Sequence, residues 1–178
     1  NLRGNSPLHL ASVRRNIEII DIMLKYGANI NVQNLDGITP LVLAYNKNQY
    51  ENFNFLLERG ADVNMQDKNG KTILHLLCIA ADNIKYVEVL LKYGADVDIQ
   101  DNDGYTPLYS VRRSTDTSVT YCGTIIIKML LEHGADHTIR NNHGNLFTYK
   151  LTRVQLTEVE QIIKNINDRM ANVKPAKR

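Results

Sequence analysis

The sequence predicts an all-α solenoid, with helix-turn-helix units stacked side by side and joined by β-hairpin-like loops. Two glycine series and one recurring helix-start phrase carry that expectation. The first series is Gly4, Gly37, Gly70, Gly104 and Gly144, at steps of 33, 33, 34 and 40 residues. The second, Gly27, Gly60, Gly94 and Gly134, keeps the same rhythm, and alanine follows each member.

The elements of each unit follow in order. Ser6-Pro7-Leu8-His9-Leu10-Ala11 recurs as Thr39-Pro40-Leu41-Val42, Thr72-Ile73-Leu74-His75 and Thr106-Pro107-Leu108-Tyr109. A hydroxyl before proline starts a helix: the oxygen caps orphan backbone N–H groups, and proline fits the first helical position without losing a bond. A second helix comes next, with Ile19-Ile20 and Met23-Leu24, Phe53 and Leu56-Leu57, Tyr86-Val87 and Leu90-Leu91, or Ile126-Ile127 and Leu130-Leu131 on one face. Glycine then ends the helix in the left-handed region. An extended arm leads to a turn: Asn34-Leu35-Asp36-Gly37, Asp67-Lys68-Asn69-Gly70, Asp101-Asn102-Asp103-Gly104 and Asn141-Asn142-His143-Gly144.

This divides the chain into repeats at about 1–33, 34–66, 67–100 and 101–140, a degenerate cap at 141–171 and a basic tail at 172–178. No unit buries enough apolar surface to fold alone, so the repeats must stack. In the cap the helix-start phrase is lost at Asn145-Leu146-Phe147-Thr148. Thr157 and Glu160 have capping-box spacing, which predicts a helix starting there, with Val159, Ile162, Ile163, Ile166 and Met170 on one face. The fourth unit carries about six extra residues within Arg112–Gly123, read as a loop from its polar β-branched residues and closing glycine. Such a loop is either a tolerated surface insertion or a carrier of function.

The period and the Thr-Pro-Leu-His phrase resemble the ankyrin-repeat family, over nearly the whole chain. The resemblance implies a protein-interaction module, an adaptor or inhibitor without chemistry of its own. The alternative is a recruiting domain of a larger protein, which the start of the chain partway through a unit, at Asn1, favours. The resemblance further implies a partner on a concave face of hairpin tips and first helices. Carried over position by position, that face comprises Leu35, Asp36, Lys68, Asn102 and Asp103 at the tips. It adds Ile38, Lys71 and Tyr105 after the turn glycines, and Tyr45 and Arg112 toward the first-helix ends. Leu35, Ile38 and Tyr105 are apolar or aromatic where solvent is expected, and such residues anchor interfaces. The family also implies structural hydrogen bonds for His9 and His75. Asn31 and Asn64 take the hairpin position that asparaginyl hydroxylases modify in some ankyrin repeats. The Asn- and Ile-rich composition resembles ankyrin proteins of poxviruses and intracellular bacteria, which implies a host-protein partner in a host cytoplasm.

Composition narrows the function classes. With 178 residues, 43% hydrophobic and 22% charged, the chain reads as one globular domain. A net charge of +2 argues against a nucleic-acid partner. No apolar run reaches the roughly 18–20 residues that span a bilayer. Two cysteines, Cys78 in an apolar helix and Cys122 in the polar insertion, make no disulfide framework and fit a reducing, intracellular, cytoplasmic setting. His133, His137 and His143 cluster loosely without a fourth ligand, so no metal is expected. No phosphate loop and no nucleophile–base constellation is evident, so neither a cofactor nor an enzymatic activity is expected. A monomer is the expected state, and irregular units, including an insertion near Ala80-Ala81-Asp82, argue against an engineered binder.

Overall fold

The computed structural model describes residues 3–79, 83–111, 121–148, 151 and 153–172. Among these residues the regular elements are helices: α1 (Pro7–Ser12), α2 (Ile17–Lys25), α3 (Pro40–Asn46), α4 (Tyr50–Glu58), α5 (Ile73–Ile79), α6 (Ile84–Lys92), α7 (Pro107–Ser110), α8 (Tyr121–Glu132) and α9 (Arg153–Asn172). They fall into two compact units, Asn1–Ile73 and Leu74–Arg178.

In the first unit the helix starts form as their chemistry dictates. Ser6 caps α1 reciprocally: its side chain accepts from the His9 N–H, and its own N–H donates to His9 Nδ1 at 3.1 Å. Thr39 Oγ1 accepts from the Val42 N–H, with Pro40 at the first helical position of α3. Asn16 Oδ1 accepts from the Ile19 N–H at the start of α2. The helices pack as two pairs, α1 with α2 and α3 with α4, and the pairs stack through α1 on α3 and α2 on α4. Leu8, Ala11, Ile20, Leu41, Ala44, Phe53, Leu56 and Leu57 fill the core.

The buried residues of this unit include polar ones: His9, Ser12, Thr39, Asn52 and Thr72. Asn52 sits on the apolar stripe of α4, and its Nδ2 donates to the Ser12 and Arg14 carbonyls at 2.8 and 2.5 Å. It thereby satisfies carbonyls at the end of α1 and just beyond it. An ion pair also ties the two pairs: Asp21 meets Lys25 one turn on and Arg59 past the end of α4. The Lys25 hydrogen bond, with Arg59 beside it, holds the Asp21 carboxyl below the usual carboxylate range. The Arg59 guanidinium lies 4.5 Å from the Phe55 ring centre.

In the second unit α6 packs on α8, and α8 packs on α9. Leu77, Leu90, Leu108, Ile126 and Leu130 are core residues. Cys78 is buried and its thiol is pushed up by that burial, so it serves as a small apolar side chain. No helix among the described residues is long and apolar enough to cross a membrane.

Two expectations are corrected in this unit. The insertion does not stay a loop as far as Gly123: α8 already includes Tyr121, Cys122 and Gly123, because Gly123 is a buried helical position with no positive φ. Residues 112–120 lie outside the described residues, as do Ala80-Ala81-Asp82 and the 173–178 tail. The last helix starts at Arg153, one turn before the expected Thr157 cap. Thr157 is interior, and its hydroxyl donates to the Arg153 carbonyl at 3.0 Å, so the hydroxyl finds its partner inside the helix. As the lost helix-start phrase predicts, Asn145–Thr148 form only a turn, and α9 stands without a paired first helix among the described residues.

Candidate functional site: the hairpin tips

Each arm ends in a turn built around one Asn or Asp side chain. In the first unit Asn34 Oδ1 accepts from the Asp36 and Ile38 N–H groups at 2.9 and 3.0 Å, and the Asn34 N–H donates to the Ile38 carbonyl. Asp67 repeats this with Asn69 and Lys71. In the second unit Asp101 does so with Asp103 and Tyr105, and Asn141 with His143 and Asn145. Glutamine braces the arms: Gln33 Nε2 donates to the Gly37 and Gln66 carbonyls, and Gln100 Nε2 to the Gly104 and Arg140 carbonyls.

Successive tips are then bonded to each other. The Leu35 N–H donates to the Arg3 carbonyl and the Lys68 N–H to the Asp36 carbonyl, at 3.1 and 3.2 Å. The Asn142 N–H donates to the Asp103 carbonyl at 3.0 Å, while Asn142 Nδ2 reaches the Asn102 carbonyl. This close approach is why glycine closes the turn. A Cβ on Gly37 would stand 2.8 Å from Asp67 Cα, and one on Gly104 2.7 Å from the Asn142 nitrogen, both at φ values near +75 that favour glycine anyway.

The helix-start histidines lock the residue after the turn. His9 Nε2 donates to the Ile38 carbonyl at 2.8 Å, and His75 Nε2 to the Tyr105 carbonyl at 2.9 Å. Both histidines are fully buried, so their role is structural. Each described tip is therefore held by its own Asn or Asp side chain and by a bond to a neighbouring tip, and two of them by a histidine as well.

The expected partner-facing residues divide by exposure. In the first unit Leu35 is 59% exposed, Asp36 and Lys68 are exposed, and Ile38, Tyr45 and Lys71 are half-buried. Leu35, Asp36, Ile38, Lys68 and Lys71 come together on two consecutive tips. In the second unit Asn102 and Asp103 are exposed on one tip, and Tyr105 beside them is half-buried. Its ring lies 4.4 Å from that of Tyr109, centre to centre, tilted by 35°. Sequence reasoning missed Tyr109 as that support, and the four-residue spacing was the available signal. It also missed Asn52, whose signal was an amide on an apolar stripe. Arg112 and the side chain of Cys122 lie outside the described residues.

The arms carry a second repeated contact. Asn31 Oδ1 accepts from the Asp62 N–H, and Asp98 Oδ1 accepts from the Asp136 N–H, each at 2.9 Å. Asn64 is half-buried, and its N–H donates to Asp62 Oδ1. Burial raises the Asp98 carboxyl, with the Asp136 and Asp96 carboxylates adding to the shift. The Thr138 hydroxyl and N–H lower that of Asp136.

None of the described residues form a group of three or more His, Cys, Asp or Glu able to hold a metal ion. His133 is exposed just past α8, its ring nitrogen donating to the Met129 carbonyl at 2.8 Å.

The comparisons with known proteins agree with this geometry. The family model for ankyrin repeats (3 copies) matches residues 1–67 and 59–141. The structure is similar to the crystal structure of EF0377, an ankyrin repeat protein, with a TM-score of 0.76 and 28% identity, covering 92% of this chain and 82% of that one. No curated protein sequence matches. With helix pairs capped by Ser/Thr-Pro, histidines bonding to the next turn, tips in register and a family match across most of its length, this chain belongs to the ankyrin-repeat family.

Proposed function

We propose that the chain is a non-catalytic protein-interaction module, acting as a monomeric adaptor or inhibitor. In this reading it binds its partner through the hairpin tips and adjoining first helices. Ankyrin repeats generally mediate protein–protein interaction. One observation carries the reading to this surface: the tip backbones are fixed while Leu35, Asp36, Lys68, Asn102 and Asp103 remain exposed. A surface already ordered before binding loses little conformational entropy when a partner arrives.

In this reading Leu35, Ile38, Tyr45 and Tyr105 are anchors, since aromatic and aliphatic groups dominate interface energetics. Asp36, Lys68 and Lys71 in the first unit and Asp103 in the second supply charges that steer encounter and select partners, and Arg112 is a further proposed contact. The tips carry both signs, which suits a protein surface better than a polyanion. Asn31 and Asn64 are the proposed positions for asparagine hydroxylation. Incubation with an asparaginyl hydroxylase should add the mass of one oxygen at each, and an unchanged intact mass removes them.

The test of binding is affinity capture from the source cell, or its host, followed by titration of the partner. Replacing Ile38 and Tyr105 by alanine together should weaken the affinity at least about tenfold, as loss of an anchor costing above 1 kcal/mol would. The same affinity in the double variant would overturn the assignment of these anchors.

A further inference from the structure

The tip Asp67-Lys68-Asn69-Gly70 holds a reactive pair that partner binding does not use. Asn69 is the one asparagine in the chain followed by glycine. An asparagine carboxamide is open to attack by the amide nitrogen of the next residue. A side chain on that residue hinders the approach, and glycine has none. Asn69 is also exposed. Other asparagines are held by their bonds. Asn34 Oδ1 and Asn141 Oδ1 brace their own turns, Asn52 Nδ2 is buried on two carbonyls, and Asn142 Nδ2 donates to the Asn102 carbonyl.

The folded tip restrains the attack. The Gly70 N–H donates to the Asp67 carbonyl at 2.9 Å, which opposes loss of its proton. Asp67 Oδ1 accepts from the Asn69 and Lys71 N–H groups at 2.8 and 2.9 Å, and the Lys68 N–H bonds to the preceding tip. These bonds keep the Gly70 nitrogen from swinging onto the Asn69 side chain. They lie on an exposed turn outside the core, so they open locally at a cost well below that of unfolding the chain.

We propose that Asn69 is a site of spontaneous deamidation, gated by the opening of its own tip. In the open tip solvent base removes the Gly70 amide proton, and the nitrogen attacks Asn69 Cγ. The N–Cγ bond forms, the Cγ–Nδ2 bond breaks, and ammonia leaves with a proton taken from water. Water then opens the five-membered imide at one of its two carbonyls, leaving aspartate or isoaspartate at position 69. The aspartyl product fits the tip, since Asp36 and Asp103 already stand before their turn glycines with their N–H groups on the same kind of brace. The isoaspartyl product lengthens the backbone by an atom, so the Gly70 and Lys71 N–H groups lose their register with Asp67. Either product puts a new carboxylate on the tip that carries Lys68. Its effect on a partner rests on the proposed tip surface, whereas the chemistry does not.

Storage of the full chain at mildly alkaline pH, followed by peptide mapping with mass spectrometry, tests the site and the gate. Asn69 should deamidate faster than any other asparagine of the chain. Its rate should be at least about tenfold lower in the folded chain than in guanidinium chloride. Asp67→Ala should raise the folded rate while far-UV circular dichroism stays that of the parent. Asp67→Asn, which copies Asn34 and Asn141, should keep the parent rate. Deamidation led by another asparagine, or none at all, would overturn the site. Equal rates in the folded and unfolded chain, or an unchanged rate in Asp67→Ala, would overturn the gate. Asn69→Asp should keep the parent Tm and change the affinity for a captured partner. An unchanged affinity would overturn the effect on binding alone.

Discussion

The first helix pair and the last helix handle their outer surfaces in opposite ways. The first pair has every mark of the repeat, with its Ser-Pro start, His9 and terminal glycine, and it leaves Leu10, Ile22 and Tyr26 bare. The last helix has lost the repeat phrase and covers the second unit well. On α9 Val159 is buried and Ile162, Ile163 and Ile166 are half-buried, while Glu158, Glu160, Gln161, Asn165 and Asp168 are exposed. Gln161 donates to Asn165, and Arg169 meets Glu132 of α8 at 3.2 Å. Fidelity to the repeat pattern and capping competence are therefore different properties. A faithful repeat is apolar on both sides because both sides expect neighbours, and a cap needs a polar outer face.

The largest test of this contrast compares two isoleucines at one repeat position. Ile126→Ala, in a fully buried site, should cost about 2–5 kcal/mol through lost burial and the cavity left behind. Ile19→Ala should cost below about 1 kcal/mol, since its site is already open to water. Urea unfolding of the two variants measures both, and equal losses would break the comparison.

Next in size is Asn52→Leu, which keeps the volume of the side chain and removes its donors. It should cost about 1–3 kcal/mol in urea unfolding, because the Ser12 and Arg14 carbonyls lose their partner. A neutral result would show that water replaces the amide there, and that shape alone holds the two pairs together.

The smallest effect sharpens a contrast between the arms. The first unit bridges its arms with a neutral amide, Asn31, and the second with a carboxylate, Asp98, whose pKa burial raises. A carboxyl raised on folding stabilises the fold fully below its unfolded pKa of about 4, and that contribution is lost as pH rises through the folded value. Asp98→Asn keeps an acceptor for the Asp136 N–H without the charge. The variant should be the more stable at neutral pH, with the gap closing below about pH 4. Tm measured across pH checks this, and a gap that widened on acidification would reverse the sign.

Much of the local structure was legible in the residues. Helix starts at Ser6, Thr39 and Thr106 form where hydroxyl precedes proline, because capping and fixed φ are short-range effects. The turn glycines were legible for the same reason. The start of α9 was misplaced because Thr157 can either cap a helix or bond back to Arg153, and its spacing to Glu160 does not distinguish the two. The extent of the insertion was overread because Tyr121–Gly123 carries no apolar periodicity of its own, so the helix of Ile125–Leu131 extends over it. Among the tip residues, the exposure of Leu35 could be read from position. The four-residue spacing of Tyr105 and Tyr109 was legible too, but the contact of their rings was not, since it depends on how the chain turns into α7.

By itself the sequence determined the repeat period, the order of elements in each unit and the family, because each rests on contacts a few residues apart or on a pattern repeated along the chain. Only the tertiary structure decided which apolar stripes are covered and which side chains remain at the tips. Ile19 and Ile126 occupy the same repeat position on similarly apolar helices, and no local rule separates them. What separates them among the described residues is whether a helix packs over the position, as α6 does on α8, and burial is a property of that neighbour as much as of the residue.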